Sequence, residues 1–399
     1  MLLADAGASV IKVERPGVGD DTRTWGPPFV GMSERRRLST YFLSVNRGKR
    51  SIAVDMKERA GLDICRTLAT DWADVVVENY HRGAMEDFDL GYEDLAKQNP
   101  GLVYCSISGY GPDGPLAQHP GYDVICSGMY GLMSITGDEN GRPAKVGVAS
   151  TDVLTGTLAQ SGILSVLLAR QQTGLGQKVD VSLMESQLAG LVNIASSSLN
   201  APEGTPPPKR WGTAHESIVP ETETQYILVG AGNDAQFQKL CGILGIPEIA
   251  NDARYQTNAS RVEHRQSLLR SLEGIFMTKT RDEWVSILSG KGFPAGPLRT
   301  VPEAFECPQA KSREMVQEMQ HEGIDALIRL PRTPISFSGV DTENNAANKN
   351  VILPPPMLGE HTMEVLGDLL DMDDSSIQEL RTNGVVECWN DGDGDVSQK

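Results

Sequence analysis

The 399-residue sequence predicts an α/β fold in which a large domain surrounds a parallel sheet, a smaller α+β unit follows, and the chain then returns to the first domain. Three observations carry that prediction. Short apolar runs without strict alternation recur through the first half as "SVIKVE", "SIAVDM", "DVVVEN", "LVYCSIS" and "QKVDVSL", the pattern of strands covered on both faces. Helical segments such as "ERAGLDICRTLATD" lie between several of them and suit crossover connections. A break rich in Pro and Gly, "NAPEGTPPPKRWG" at 200–212, then ends this half of the chain.

The elements follow in order. "MLLADAGASVIKVE" at 1–14 reads as the end of a helix, a Gly turn and a buried strand. It carries no leader and no cap, so it reads as the inside of a fold whose first strand lies upstream. The large domain runs over 1–195, a linker over 196–212, and the smaller unit over 213–302 around the strand "QYILVGAG". Residues 303–387 form a linker and the return, through "LIRLPRTPISFSG" and the helix "EHTMEVLGDLLDM". The tail at 388–399, "CWNDGDGDVSQK", reads as disordered.

Composition narrows the function. Cysteines at 65, 105, 126, 241, 307 and 388 form no CxxC pair, and no His stands at metal-ligand spacing, so reduced thiols of an intracellular protein and no metal are expected. No apolar run approaches the roughly 20 residues that cross a bilayer, so no membrane partner is expected. The net charge of -17 argues against general nucleic-acid binding. Residues 1–60 nevertheless hold eleven Lys and Arg against seven Asp and Glu, a net of +4. A local basic field on an acidic protein suits a small polyanion. Arg35, Arg36 and Arg37 read as a solvated loop, whereas Arg15, Arg23, Lys49, Arg50 and Lys57, set beside strands and turns, are candidates for phosphate.

The stretch "GVASTDVLTGTLAQSGILSVLLARQQTGLG" places one acid, Asp152, at the mouth of a long apolar helix that ends with Arg170 in its last turn and Gly174 beyond. Local pattern makes Asp152 a cap for the first-turn N–H groups; a nucleophile is the alternative. "GAGNDA" at 230–235 matches a dinucleotide fingerprint, with Glu248 near the distance of a ribose-binding acid, but Asn233 and Asp234 also explain themselves as helix caps. Ser108 in "ISGYG" lacks the leading Gly of a hydrolase elbow. His361 reads as a satisfied structural imidazole, and His215 sits in an exposed loop.

Taken together, "LLADAGASVIKVERPGVGDDTR", "NRGKRSIAVDMK", "ADVVVENYHRGAM", "SISGYGPDGPLAQHPGYD", "STDVLTG", "TGLGQKVDVSLMES" and "PPMLGEHTMEVL" resemble, in order, the class III CoA-transferases, which include formyl-CoA transferase and carnitine CoA-transferase. "GTAHESIVP", "VGAGNDAQFQKLCGILG" and "GFPAGPL" resemble the succinate and glutarate branch of that family.

The resemblance implies a Rossmann-like, CoA-binding large domain built from both chain ends, a small domain, and two chains interlocked as a homodimer. It implies that Asp152 is the nucleophile, that CoA thioesters are substrates, and that no cofactor is permanently bound. Succinyl-CoA is the implied donor and glutarate, or another dicarboxylate, the acceptor. Arg15, Lys57, Asn79 and Tyr80 match positions that contact the nucleotide end of CoA, and Tyr122 belongs to the same binding set. Asp87 stands where formyl-CoA transferase has an arginine, which removes one phosphate contact. Arg210 is a candidate cation for the acceptor's distal carboxylate. The branch also implies a mitochondrial address, with no targeting segment read in this chain.

Two other functions compete. The related α-methylacyl-CoA racemases pair the aspartate with a histidine, but Tyr122, thirty residues before Asp152, occupies that position here. A phenol titrating near pH 10 is a poor partner for two-base proton exchange. His119 serves only if the loop is displaced. A truncated relative that binds CoA without turnover is the non-enzymatic alternative.

Overall fold

The computed structural model describes residues 1–31, 36–137, 141–205, 217–218, 220–324, 326–336, 338 and 353–389. The chain divides into two compact units, one of Met1–Leu132, Lys145–Leu191 and Lys311–Lys399, the other of Met133–Ala144 and Val192–Ala310. The second unit therefore exceeds the expected 213–302. Met133–Ala144 has no apolar period of its own, so nothing local assigns it there.

All five strands expected in the first half form, in two parallel arrays. Val10–Glu14 pairs with Lys49–Val54, in register from Val10 opposite Lys49 to Glu14 opposite Ala53. Val386–Glu387, from the other end of the chain, adds antiparallel to the far side of Lys49–Val54. The second array orders Val75–Glu78, Val103–Ser108 and Lys178–Ser182, all parallel. One core serves both: Ile52 and Val54 meet Leu102 and Tyr104, together with Ile64, Val365, Leu366 and Ile377 from helices. Burial of those apolar surfaces is the dominant stabilising term.

Lys311–Lys399 groups with the first unit. "LIRLPRTPISFSG" supplies Ala326–Pro331, which makes an antiparallel hairpin with Val316–His321 instead of joining a parallel array. Thr362–Leu370 and Asp374–Thr382 are the terminal helices. The expected tail starts too early, because Cys388 is buried and Trp389 packs beside Leu38 and Phe42. Residues 390–399 lie outside the described residues.

Helix Ser150–Thr173 crosses over between Val103–Ser108 and Lys178–Ser182. Thr151, Thr155, Ala159 and Ile163, spaced by one helical turn, are its buried stripe. Small residues let it lie close to the sheet: a Cβ on Gly162 would come 2.8 Å from Val179. Gly174 ends the helix at φ +72°, and Arg170 donates to the Gly101 carbonyl and pairs with Asp74. Contrary to the sequence expectation, this helix of 24 residues is long and apolar enough to span a bilayer by length and composition. Its scattered Thr, Ser and Gly interrupt the apolar run without making it polar. Val153, Leu164 and Leu168 face outward and exposed.

The second unit has its own core of Phe237, Leu240, Leu272, Phe276, Trp284 and Leu288. Ile227–Gly230 is the middle strand of an antiparallel sheet, between Ser217–Ile218 and Ala295–Pro297. The buried Arg261 guanidinium is held by Asp234, by the Tyr255 carbonyl and over the Phe237 ring.

Candidate active site

Parallel strands gather loops at their carboxyl ends, where ligands of open α/β sheets bind. Arg15 follows Val10–Glu14 directly, Lys57 comes three residues after Lys49–Val54, and Asn79 and Tyr80 follow Val75–Glu78. All four side chains are exposed. Burial, Cys65 and Glu78 raise the Tyr80 phenol above its usual range, while Arg15 opposes the shift, so the carboxyl ends of the two arrays lie within electrostatic reach. Asp87 is exposed at the end of helix Ala84–Asp87.

The loop after Val103–Ser108 is pinched at its base. A Cβ on Gly109 would lie 2.7 Å from Gly121 Cα, and one on Gly121 would lie 2.5 Å from Gly109 Cα, so only glycine fits either position without backbone movement. The contact returns the chain to the strand end just before Tyr122 and Asp123. Tyr122 is exposed and forms the N-cap of helix Asp123–Met129. Cys126 Sγ donates to the Gly109 carbonyl from the next turn.

Asp123 takes the capping contacts that local pattern gives to Asp152. Helix Ser150–Thr173 has Ala149 at its N-cap and no side-chain cap of its own. Asp123 Oδ2 instead accepts the backbone N–H of Thr151 at 2.7 Å and that of Asp152 at 3.3 Å. The capping role expected of Asp152 thus belongs to a carboxylate 29 residues earlier, and among the described residues no hydrogen bond reaches the Asp152 carboxylate. Thr151 Oγ1 donates to Gln187 Oε1 at 2.7 Å and Thr155 Oγ1 to the Thr151 carbonyl at 2.7 Å, fixing the turn from beneath.

The same contacts set the local electrostatics. Partial desolvation, then the like charge of Asp123, pushes the Asp152 carboxyl up to about 6. Asp152 is exposed by its surface area, so the carboxylate is open to solvent on one side and not sealed in a cavity. Burial and the same two carboxylates push the Cys126 thiol up to about 11. The Tyr41 phenol is raised by desolvation, then by Asp152 and Asp123. Tyr41 makes an edge contact with Trp25, ring centroids 5.0 Å apart, and both rings are exposed.

Sequence reasoning missed Asp123, Tyr41 and Trp25. The paired glycines flanking "YGPDGPLAQHP" were the available signal for the first; nothing local signals the aromatic pair. Arg35, Arg210 and His215 lie outside the described residues.

Competing sites dissolve. The strand before "GAGNDA" pairs antiparallel on both sides, Asn233 accepts the Gln236 N–H as a helix cap, and Gly232 N–H donates to Gln236 Oε1, so the parallel βαβ setting of a dinucleotide turn is absent there. Ser108 Oγ accepts the Gly111 N–H. His361 Nδ1 accepts the Ser51 N–H at 3.3 Å and the His361 backbone N–H donates to the Ser51 carbonyl, a structural role.

The chain was also compared with known proteins. The chain is 43% identical over 391 residues to succinyl-CoA:glutarate CoA-transferase of Mus musculus, covering 97% of this chain and 86% of that one. It is 40% identical over 373 residues to succinate--glutarate CoA-transferase of Agrobacterium fabrum, covering 92% and 90%. A crystal structure of a CAIB/BAIF family protein from Brucella suis superposes with a TM-score of 0.78 at 40% identity, over 92% of this chain and 93% of that one. The family model described as CoA-transferase family III matches residues 1–362. The chain is therefore an α/β enzyme of the transferase class and belongs to CoA-transferase family III.

Proposed function

We propose that the protein moves CoA from succinyl-CoA to glutarate or a similar dicarboxylate through covalent intermediates on Asp152. One observation carries the proposal: the Asp152 carboxylate stands at a helix mouth with its capping duty taken over by Asp123. Raised to about 6, it remains mostly ionised at neutral pH while being more basic than an ordinary aspartate. The names of the Mus musculus and Agrobacterium fabrum relatives support the choice of acids.

The chemistry balances without an added reagent. An Asp152 oxygen attacks the thioester carbon of succinyl-CoA, the C–S bond breaks, and CoA leaves as thiolate from a succinyl-aspartyl anhydride. The thiolate attacks the aspartyl carbon and expels succinate, leaving an aspartyl-CoA thioester. Glutarate attacks that carbon and releases the thiolate, which then attacks the glutaryl carbon and restores the Asp152 carboxylate. Each bond broken is matched by one of the same class formed, so no net proton is consumed.

Arg15 and Lys57 hold the phosphates of CoA, Asn79 and Tyr80 its nucleotide end, and Tyr122 the arm near the thioester. The outward apolar stripe of Val153, Leu164 and Leu168 supports the homodimer reading, since a second chain would cover it. The mitochondrial address rests on the resemblance to the succinate and glutarate branch alone.

The test is intact-protein and peptide mass spectrometry after incubation with succinyl-CoA, with hydroxylamine as trap. A modification confined to Asp152, absent in Asp152→Ala and discharged by glutarate, is the expected result. A folded, CoA-binding protein that yields no adduct on Asp152 overturns the reading.

A further inference from the structure

Asp123 makes contacts that a general helix cap does not need. It comes from another helix, 91% of its surface is covered, and the backbone contact between Gly109 and Gly121 fixes it in place. It takes the N–H groups that lie nearest Asp152. Were those groups free, the Asp152 carboxylate could fold back onto its own helix end, as first-turn acids do.

The geometry points to Asp123 as a positioning residue: it occupies the first-turn N–H groups so that the Asp152 carboxylate stays off its own helix end and open to an incoming thioester, and it sets a second negative charge beside that carboxylate. This deepens the proposed function and rests on Asp152 being the nucleophile. The surroundings leave Asp123 as the dominant neighbour. From its own helix, Cys126 joins it as a neutral thiol, and from helix Thr40–Asn46 comes the neutral Tyr41 phenol. Helix Leu183–Gly190 offers Gln187, bonded to Thr151, and Glu185, whose carboxylate accepts from Ser182 Oγ at 2.6 Å. Among the described residues, Asp123 is the one charge that perturbs Asp152.

The experiment follows the 13C resonances of aspartate carboxyls in the full chain against pH, with Asp152 assigned through Asp152→Asn. In the wild type its midpoint falls near about 6. Asp123→Asn keeps an oxygen acceptor for the cap and removes the charge; it lowers the midpoint by about one pH unit. The acid limb of kcat/KM shifts down by the same amount. Asp123→Ala removes acceptor and charge together and lowers kcat by roughly tenfold or more at near-constant KM for succinyl-CoA. Asp123→Ser, a smaller neutral acceptor, replaces Asp123→Asn should the latter not fold. A midpoint and an acid limb that stay in place in a folded neutral variant overturn the inference and reduce Asp123 to a structural cap. A midpoint that moves in a protein forming no Asp152 adduct upholds the electrostatic coupling and overturns the transferase mechanism, so the two failures separate.

Discussion

Glu14 and Asp152 are carboxylates of the same unit treated in opposite ways. Glu14, at the end of the first parallel strand, is buried and receives both Arg23 Nε at 2.8 Å and Arg23 Nη2 at 2.6 Å, with the Ser51 hydroxyl at 2.7 Å. Desolvation alone would raise it, but those partners hold it below the usual carboxylate range. Asp152 receives no such partners and faces another acid, so it rises to about 6. Matched charge makes a strut, while unmatched charge at an exposed helix mouth makes a reactive group. A carboxylate's function is thus read from what the fold withholds as much as from what it supplies.

That contrast can be broken most directly at Asp152. Asp152→Asn lowers transferase activity by about a thousandfold or more, measured as CoA transfer from succinyl-CoA. Removing an acid whose folded pKa is raised takes away a penalty that builds as pH rises from the unfolded carboxylate pKa to about 6 and is fully present above it. The same variant therefore raises Tm most at pH 8, less at pH 5 and little below about pH 4, followed by calorimetry. A large loss of stability would put Asp152 in the structural class with Glu14.

Glu14→Gln is the reciprocal. It leaves the mostly buried Arg23 without its anion and destabilises the protein by about 3–5 kcal/mol in denaturant melts. Glu14 is held below its ordinary value, so its contribution is present above the unfolded carboxylate pKa and is lost as pH falls through the depressed folded one. The stability gap between wild type and Glu14→Gln accordingly narrows on acidification.

A smaller effect sharpens the division within the site. Arg15→Ala and Lys57→Ala each raise KM for succinyl-CoA by roughly three- to tenfold with kcat within about twofold, and added salt shrinks the difference. Isothermal titration with CoA alone checks the same point. A fall in kcat with constant KM would move these cations from the nucleotide end to the chemistry.

Much of this arrangement was legible from local pattern. Apolar runs located the five parallel strands, and Arg170 with Gly174 marked the end of the long helix. The cap was misread because a helix start records only that its N–H groups need an acceptor; a partner 29 residues away leaves no local trace. The hairpin of Val316–His321 was missed since its alternation is carried by Gln, Glu and His as much as by apolar residues. Cys388 and Trp389 were assigned to a tail because the acidic, Gly-rich residues after them dominate that window's composition.

The thiol of Cys126 has a consequence for acyl traffic. In the proposed cycle an activated acyl group waits on Asp152 with a free CoA thiolate nearby, and a protein thiolate at that spot would intercept it and trap the enzyme as a dead-end thioester. Held up to about 11, Cys126 stays a thiol at neutral pH. Burial first, and then the Asp123 charge that also raises Asp152, keep the neighbouring sulfur protonated, so selectivity for CoA over the protein's own cysteine follows from the same local environment.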